Sequence, residues 1–170
     1  MFYFKINNRR YTGSKFKLLE WIKNNIEDET KKNDSFCDLF AGTGCVAEKF
    51  ADKKKLIIND LLFSNNIIYK AFFDSKNFNK KKIIEISKKY KALNLKKIPS
   101  NYFDKNFGGK FFSLNDAKLI GFIREQIDTE NCNISEKNIL LASLLYSADK
   151  SANTVGHYDA FRKKIKIKDK

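Results

Sequence analysis

The stretch Asp38-Leu39-Phe40-Ala41-Gly42-Thr43-Gly44 decides the fold of this chain. It completes residues 35–40, a short and largely apolar run that predicts a β-strand, and it leads into residues 44–52, whose apolar spacing predicts a helix. The two glycines stand where a strand turns sharply into a helix, and such a turn needs glycine where a ligand approaches the backbone closely. The sequence therefore predicts a strand, a glycine turn and a helix in that order.

A second strand follows at Leu56-Ile57-Ile58-Asn59-Asp60, and residues 61–73 carry a helical pattern. The order βαβα predicts an α/β fold with a parallel sheet and right-handed crossovers. Asp60 then ends its strand at the same edge of the sheet as the glycine turn. From there its carboxylate can accept hydrogen bonds from both hydroxyls of a ribose, as acids do in nucleotide-binding Rossmann folds.

The rest of the chain changes character after the second predicted strand and helix. We expect three regions: a Rossmann-like cofactor-binding portion at 1–78, a helical insertion at 79–161 that faces DNA, and a basic tail at 162–170. Asp116 and Ser135 are the predicted N-caps of the last two helices. The remaining predictions are an edge strand at 2–6, a helix at 17–26, a charged loop at 27–34, helices at 79–93, 116–127 and 135–148, and an irregular stretch at 97–110.

Composition limits the classes of function. The formal net charge is +14, which favours a polyanionic partner such as nucleic acid, although an A+T-rich genome would also encode this excess of lysine. No apolar run approaches the ~18 residues of a membrane span, and residues 1–10 lack the pattern of a secretory signal, so a cytoplasmic protein without a membrane partner is expected. The three cysteines match neither a zinc site nor a redox pair, and no metal site is predicted.

The glycine turn by itself leaves two ligands open. Gly42-x-Gly44-x-x-Ala47 also fits the dinucleotide fingerprint, so an NAD-binding domain is an alternative. The context separates the two, because Arg10-Tyr11-x-Gly13-Ser14-Lys15 near the start of the chain has no use in an NAD domain.

Three segments together resemble the adenine-specific DNA methyltransferases of the Dam-like, D12 class. They are Arg10-Tyr11-Thr12-Gly13-Ser14-Lys15, the glycine turn and Asn59-Asp60. The resemblance implies a partial Rossmann-like methyltransferase sheet with an appended, mostly helical segment, S-adenosylmethionine as cofactor and double-stranded DNA as substrate. It implies methylation of the exocyclic amino group of adenine in a restriction-modification system.

The resemblance also implies roles for individual residues of the cofactor site. Asp38 lies near the methionine ammonium and Asp60 contacts the ribose. Gly42 and Gly44 lie under the cofactor in the same turn as Phe40. The carboxylate side is closed by Tyr11, Gly13 and Lys15.

The catalytic motif of the family, Asp-Pro-Pro-Tyr or a near variant, is missing. The only proline is Pro99, between Ile98 and Ser100, so no Pro-Pro step exists in the 170 residues. We therefore expect no catalytic residue in this chain, which would be an N-terminal portion: a split product, a truncated product, or a subunit that docks on a second polypeptide carrying the motif. The alternative functions are a non-catalytic, basic Rossmann-like domain that binds nucleic acid or a dinucleotide, and an inactive fragment.

Overall fold

The computed structural model describes residues 6, 9, 13–30, 35–52, 55–155, 158–163 and 167–169. Two parallel strands and seven α-helices lie within these ranges, with 3-10 turns at Phe16–Leu18 and Leu95–Lys97. The elements are α1 (Leu19–Thr30), β1 (Ser35–Asp38), α2 (Cys45–Lys49), β2 (Lys55–Ile58), α3 (Phe63–Phe73), α4 (Lys80–Lys91), α5 (Tyr102–Phe107), α6 (Leu114–Thr129) and α7 (Ile134–Ser151).

The chain divides into two units, Met1–Asp74 and Ser75–Lys170. In the first unit β1 and β2 pair in parallel, in a register that runs from Ser35 opposite Lys55 to Asp38 opposite Ile58. The predicted parallel pairing is therefore confirmed. Parallel strands need a crossover connection, and α2 lies in it.

Pairing continues past the ends of the two strands. The Asn59 N–H donates to the Asp38 carbonyl at 2.8 Å, and the Ala41 N–H donates to the Asn59 carbonyl at 3.0 Å. The Asn59 side chain also donates to the Leu39 carbonyl at 2.9 Å. These bonds tie the turn after β1 to the residues that follow β2, so both strand ends form one edge.

The core of the first unit is built from α2, α3 and one face of the sheet. Phe36 of β1 stacks on Phe50, which follows α2, with ring centroids 4.3 Å apart. Ile67 and Ile68 of α3 are buried. The sheet alternates exposed and half-buried residues along both strands, as expected when only one face is covered.

The second unit is helical over its described residues. One core cluster joins α4, α6 and α7 through Ile86, Tyr90, Ile127 and Leu140. Gly121 lets α5 approach α6, because a Cβ there would collide with the side chain of Asn101 and lie 2.8 Å from the Cβ of Phe103. No helix among the described residues has the length and apolarity that a membrane crossing requires.

Several helix limits differ from the sequence prediction. The N-cap of α6 is Ser113, whose hydroxyl accepts the Asp116 N–H, so the prediction of Asp116 as the cap was wrong. The N-cap of α7 is Asn133 and not Ser135, because Asn133 and Glu136 bond to each other's backbone N–H groups in a capping box.

Two further differences concern whole segments. Helix α1 continues through Thr30 into the predicted charged loop. Helix α5 lies inside the stretch predicted as irregular, and Asn101 and Asp104 begin it with a second capping box. The predicted edge strand at 2–6 falls almost wholly outside the described residues.

Candidate cofactor-binding site

The predicted glycine turn lies between β1 and α2, and its backbone requires glycine. Gly42 has φ 54° and Gly44 has φ 78°, both in the left-handed region that other residues rarely adopt. A Cβ on Gly44 would also lie 3.0 Å from the Ile6 side chain and 3.0 Å from the ring of Tyr69. The turn therefore has neither the conformation nor the space for a side chain at Gly44.

Both backbone polar groups of Gly42 are bound by side chains from beyond β2. The Gly42 N–H donates to Oδ2 of Asp60 at 2.9 Å, and the Tyr69 hydroxyl donates to the Gly42 carbonyl at 2.6 Å. Asp60 follows β2, whereas Tyr69 lies on α3. The conformation of the turn is thus set by residues 18 and 27 positions away along the chain.

The carboxylate of Asp60 is largely occupied by donors of this chain. Besides Gly42, the Leu62 N–H and the Asn65 amide both donate to Oδ1, each at 2.9 Å. A carboxylate offers about four acceptor positions, so three bonds leave about one, on Oδ2. The sequence predicts that Asp60 accepts hydrogen bonds from both hydroxyls of a ribose. That would require one more acceptor position on the carboxylate than these three bonds leave open.

Asp38 ends β1 with a carboxylate that is only partly satisfied. Its Oδ2 is buried and has no hydrogen-bond partner among the described residues. Burial raises the pKa of Asp38 and the charge of Asp60 raises it further, while the backbone N–H groups of Phe40 and Ala47 and the charge of Lys15 act in the opposite direction. A buried acceptor of this kind is suited to a cationic donor such as an ammonium group.

The structure brings part of the N-terminal segment into the neighbourhood of the glycine turn. The charge of Lys15 acts on Asp38, although the Lys15 ammonium itself donates to the Gly13 carbonyl at 2.8 Å. Gly13 has φ 83°, so this turn also uses a left-handed residue. Tyr11, the remaining predicted residue of the segment, lies outside the described residues.

Apolar side chains surround the edge formed by the two strand ends. Phe40 is 90% exposed, Leu61 is 98% exposed and Phe63 is 72% exposed. Large apolar side chains grouped on a surface are typical of a ligand-binding or protein-binding surface. Phe40, Gly42, Gly44, Asp38 and Asp60 thus lie together at one edge, as the order of the strands predicted.

Comparison with known proteins identifies the family. The profile of the D12 class N6 adenine-specific DNA methyltransferases matches residues 11–170 of the chain. The chain belongs to this family. The resemblance seen in the glycine turn and in the segment before it is therefore confirmed.

Curated relatives of this D12 chain are named as methyltransferases. It is similar to type II methyltransferase M.NlaIII of Neisseria lactamica, at 31% identity over 92% of this chain and 50% of that protein. It is similar to type II methyltransferase M.CviAII of Paramecium bursaria Chlorella virus 1, at 34% identity over 95% of this chain and 51% of that protein. Modification methylase LlaI of Lactococcus lactis subsp. lactis is 30% identical over 91% of this chain and 27% of its own length.

The D12 chain spans about half the length of the first two relatives. No solved structure matches it at a significant level. A methyltransferase family implies a methyl donor.

Three residues of the site were missed in the sequence. Asn65 and Tyr69 are both buried and bond to the turn or to Asp60. Thr43 is 3% exposed, and its hydroxyl has no hydrogen-bond partner among the described residues. A polar residue on the apolar face of a helix was the available signal for Asn65, because a buried amide needs partners.

Proposed function

We propose that this chain forms the S-adenosylmethionine-binding portion of a DNA methyltransferase that modifies the exocyclic amino group of adenine in a restriction-modification system. Family membership supports the reaction class. The observation that carries the cofactor assignment is the buried Oδ2 of Asp38 beside the glycine turn, which has no hydrogen-bond partner among the residues that the structure describes. An anionic acceptor there fits the ammonium of a methionine group, whereas NAD has no ammonium to offer.

The proposed site residues divide between the methionine group and the ribose of this cofactor. In the proposal Asp38 binds the methionine ammonium, while Gly13, Lys15 and Tyr11 bind the methionine carboxylate. Gly42 and Gly44 keep the turn free of side chains under the ligand, and Phe40 adds apolar surface. Asp60 binds the ribose through the acceptor position that its three internal bonds leave open.

The bound cofactor would supply an activated methyl group. In this proposal the chain binds and orients the cofactor, since no residue of the chain is assigned to the target adenine of the DNA. Methylation of a base inside a duplex also requires that the base be turned out of the stack and held by polar and aromatic groups. The family motif for that task is not among the 170 residues, so in this proposal it is supplied from outside them, and a second polypeptide is one such source.

The second unit is proposed to face double-stranded DNA. The net charge of +14 suits a polyanion, and α4 exposes Lys81, Lys88 and Lys91. Contacts to phosphates position a protein on DNA without reading its sequence. We therefore assign residues 79–161 to DNA contact and residues 1–78 to a Rossmann-like cofactor portion, with a basic tail at 162–170.

Calorimetric titration of the purified chain tests the proposal. S-adenosylmethionine and S-adenosylhomocysteine should bind and NAD should not, because only the first two carry the methionine group. Asp60→Ala should weaken binding about tenfold or more through loss of a hydrogen bond to a charged group.

The control is Asp52→Ala, which removes an exposed carboxylate from the same unit and should leave affinity unchanged. Circular dichroism should report a folded chain in every sample. Preference for NAD, or no binding by a folded chain, would refute the proposal.

A further inference from the structure

Among the described residues of the first unit, Asn65 is the most deeply buried polar residue, with no exposed surface. An amide in such a place destabilises the fold unless its groups are bonded. Both ends of this amide are used: the nitrogen donates to Oδ1 of Asp60 at 2.9 Å, and the oxygen accepts from the Arg9 guanidinium at 2.8 Å. Asn65 thus joins the N-terminal segment to the acid at the end of β2.

Tyr69 lies one helical turn after Asn65 on the same face of α3. Its hydroxyl holds the carbonyl of Gly42, and its ring lies against Gly44. Asn65 reaches the same turn through Asp60, whose other oxygen accepts the Gly42 N–H. Two residues of one helix therefore hold the N–H and the carbonyl of Gly42, one indirectly and one directly.

We propose that Asn65 and Tyr69 are positioning residues that set the glycine turn for cofactor binding. Asn65 acts by fixing the carboxylate of Asp60. The last torsion of an aspartate side chain is broad and roughly two-fold, so it needs outside partners to hold one orientation. With Oδ1 bonded to Asn65 and to the Leu62 N–H, Oδ2 is held on Gly42 and keeps its remaining acceptor position in place.

The bond from Arg9 extends this arrangement to the N-terminal segment. Arg9 directly precedes the segment Arg10 to Lys15, which is proposed to bind the methionine carboxylate. By accepting from Arg9, Asn65 links the residue before that segment to the turn through a continuous series of hydrogen bonds. The glycine turn is thus connected through Asn65, which neither sequence motif contains, to the residue directly before the other motif.

The test uses two variants that remove hydrogen bonds and keep volume. Asn65→Leu is nearly isosteric, and Tyr69→Phe removes only the hydroxyl. The controls are Asn138→Leu and Tyr90→Phe, which make the same changes at buried positions of the second unit. Circular dichroism checks that each variant is folded.

The first measurement is amide hydrogen exchange at Gly42 in the ligand-free chain. Exchange of the Gly42 N–H should be about tenfold or more faster in Asn65→Leu and in Tyr69→Phe, because each variant removes a hydrogen bond that helps to hold the backbone at Gly42. Exchange should be unchanged in the two controls. Unchanged exchange in both folded variants would overturn the proposal. This measurement does not depend on the ligand.

The second measurement is the affinity for S-adenosylmethionine, and this part of the inference rests on the proposed function. Asn65→Leu should weaken binding about tenfold in the wild-type background and have little further effect in an Asp60→Ala background, because it acts through Asp60. Equal losses in both backgrounds would contradict this route. If the wild-type chain binds no S-adenosylmethionine, the proposed function fails, and hydrogen exchange alone decides whether α3 holds the turn.

Discussion

At the scale of single residues, Asp38 combines its proposed role in ligand binding with a cost to stability. Burial raises the pKa of its carboxyl in the folded chain, so folding favours the protonated form. Such a group contributes stability that is fully present below its unfolded pKa and is lost as the pH rises through its folded pKa. Where Asp38 is ionised, its burial destabilises the free site, and a bound cation would offset that cost.

We expect Asp38→Asn to stabilise the ligand-free chain at neutral pH and to weaken S-adenosylmethionine binding about tenfold or more, since a charge-assisted hydrogen bond is lost. Urea unfolding at pH 7 should show a higher free energy of unfolding for the variant. The two proteins should become similar in stability at acid pH, where Asp38 is protonated. A variant that is less stable at pH 7, or that binds as tightly as the wild type, would refute this account.

At the scale of elements, Glu136 holds the starts of two helices. Its side chain is 4% exposed and accepts from the Lys82 ammonium at 2.8 Å. The backbone N–H groups of Asn79 and Asn133, the N-caps of α4 and α7, also donate to it, each at 3.0 Å. The bond from Lys82 and these two N–H groups lower the pKa of Glu136 to about 2. One carboxylate thus fixes how α4 packs on α7.

The pH dependence of stability should follow this carboxylate. A lowered pKa contributes stability above the unfolded value of 4.5, and that contribution is lost as the pH falls towards about 2. We expect Glu136→Gln to lower the free energy of unfolding at pH 7. Between pH 4.5 and 2 the free energy of unfolding of the variant should change little from this cause, whereas the wild type loses the contribution of Glu136. Urea unfolding across pH measures this, with exposed Glu125→Gln as the control. Parallel pH profiles for Glu136→Gln and the wild type would contradict the prediction.

The errors in helix limits arise at the same scale. Asp116 and Ser135 are suitable caps by residue type, but Ser113 and Asn133 also have the right partner three positions later. Several polar residues near a helix start satisfy the same preference, and the packing of the helix chooses among them. Helix α5 was missed because six residues give too short a pattern to recognise by periodicity.

At the scale of the whole molecule, the excess of positive charge sets the expected interaction with DNA. The affinity should fall as salt rises, since each neutralised phosphate releases counterions, with a slope of about −0.9 per phosphate on logarithmic axes. Replacing Lys81, Lys88 and Lys91 of α4 by glutamine should make the slope shallower by about 2 to 3. Fluorescence anisotropy with a duplex of mixed sequence measures the slope.

The control for this prediction is Lys17→Gln, an exposed lysine of the first unit. If DNA contact is assigned correctly to the second unit, this variant should keep the wild-type slope. A slope that changes with Lys17 and not with α4 would move the DNA-contacting surface to the first unit.

The sequence by itself determined the strand, turn and helix around Gly42 and Gly44 and the strand that pairs with the first strand in parallel. It also determined the resemblance to the D12 family. These features depend on local backbone conformation and on apolar spacing, which neighbouring residues encode directly. Only the tertiary structure decided how the carboxylates are used: Asp38 has a buried oxygen without a partner in the described part of the chain, and Asp60 is bonded to Gly42 and Asn65. Those bonds join residues that are distant along the chain, and burial sets their cost, so no local pattern could specify them.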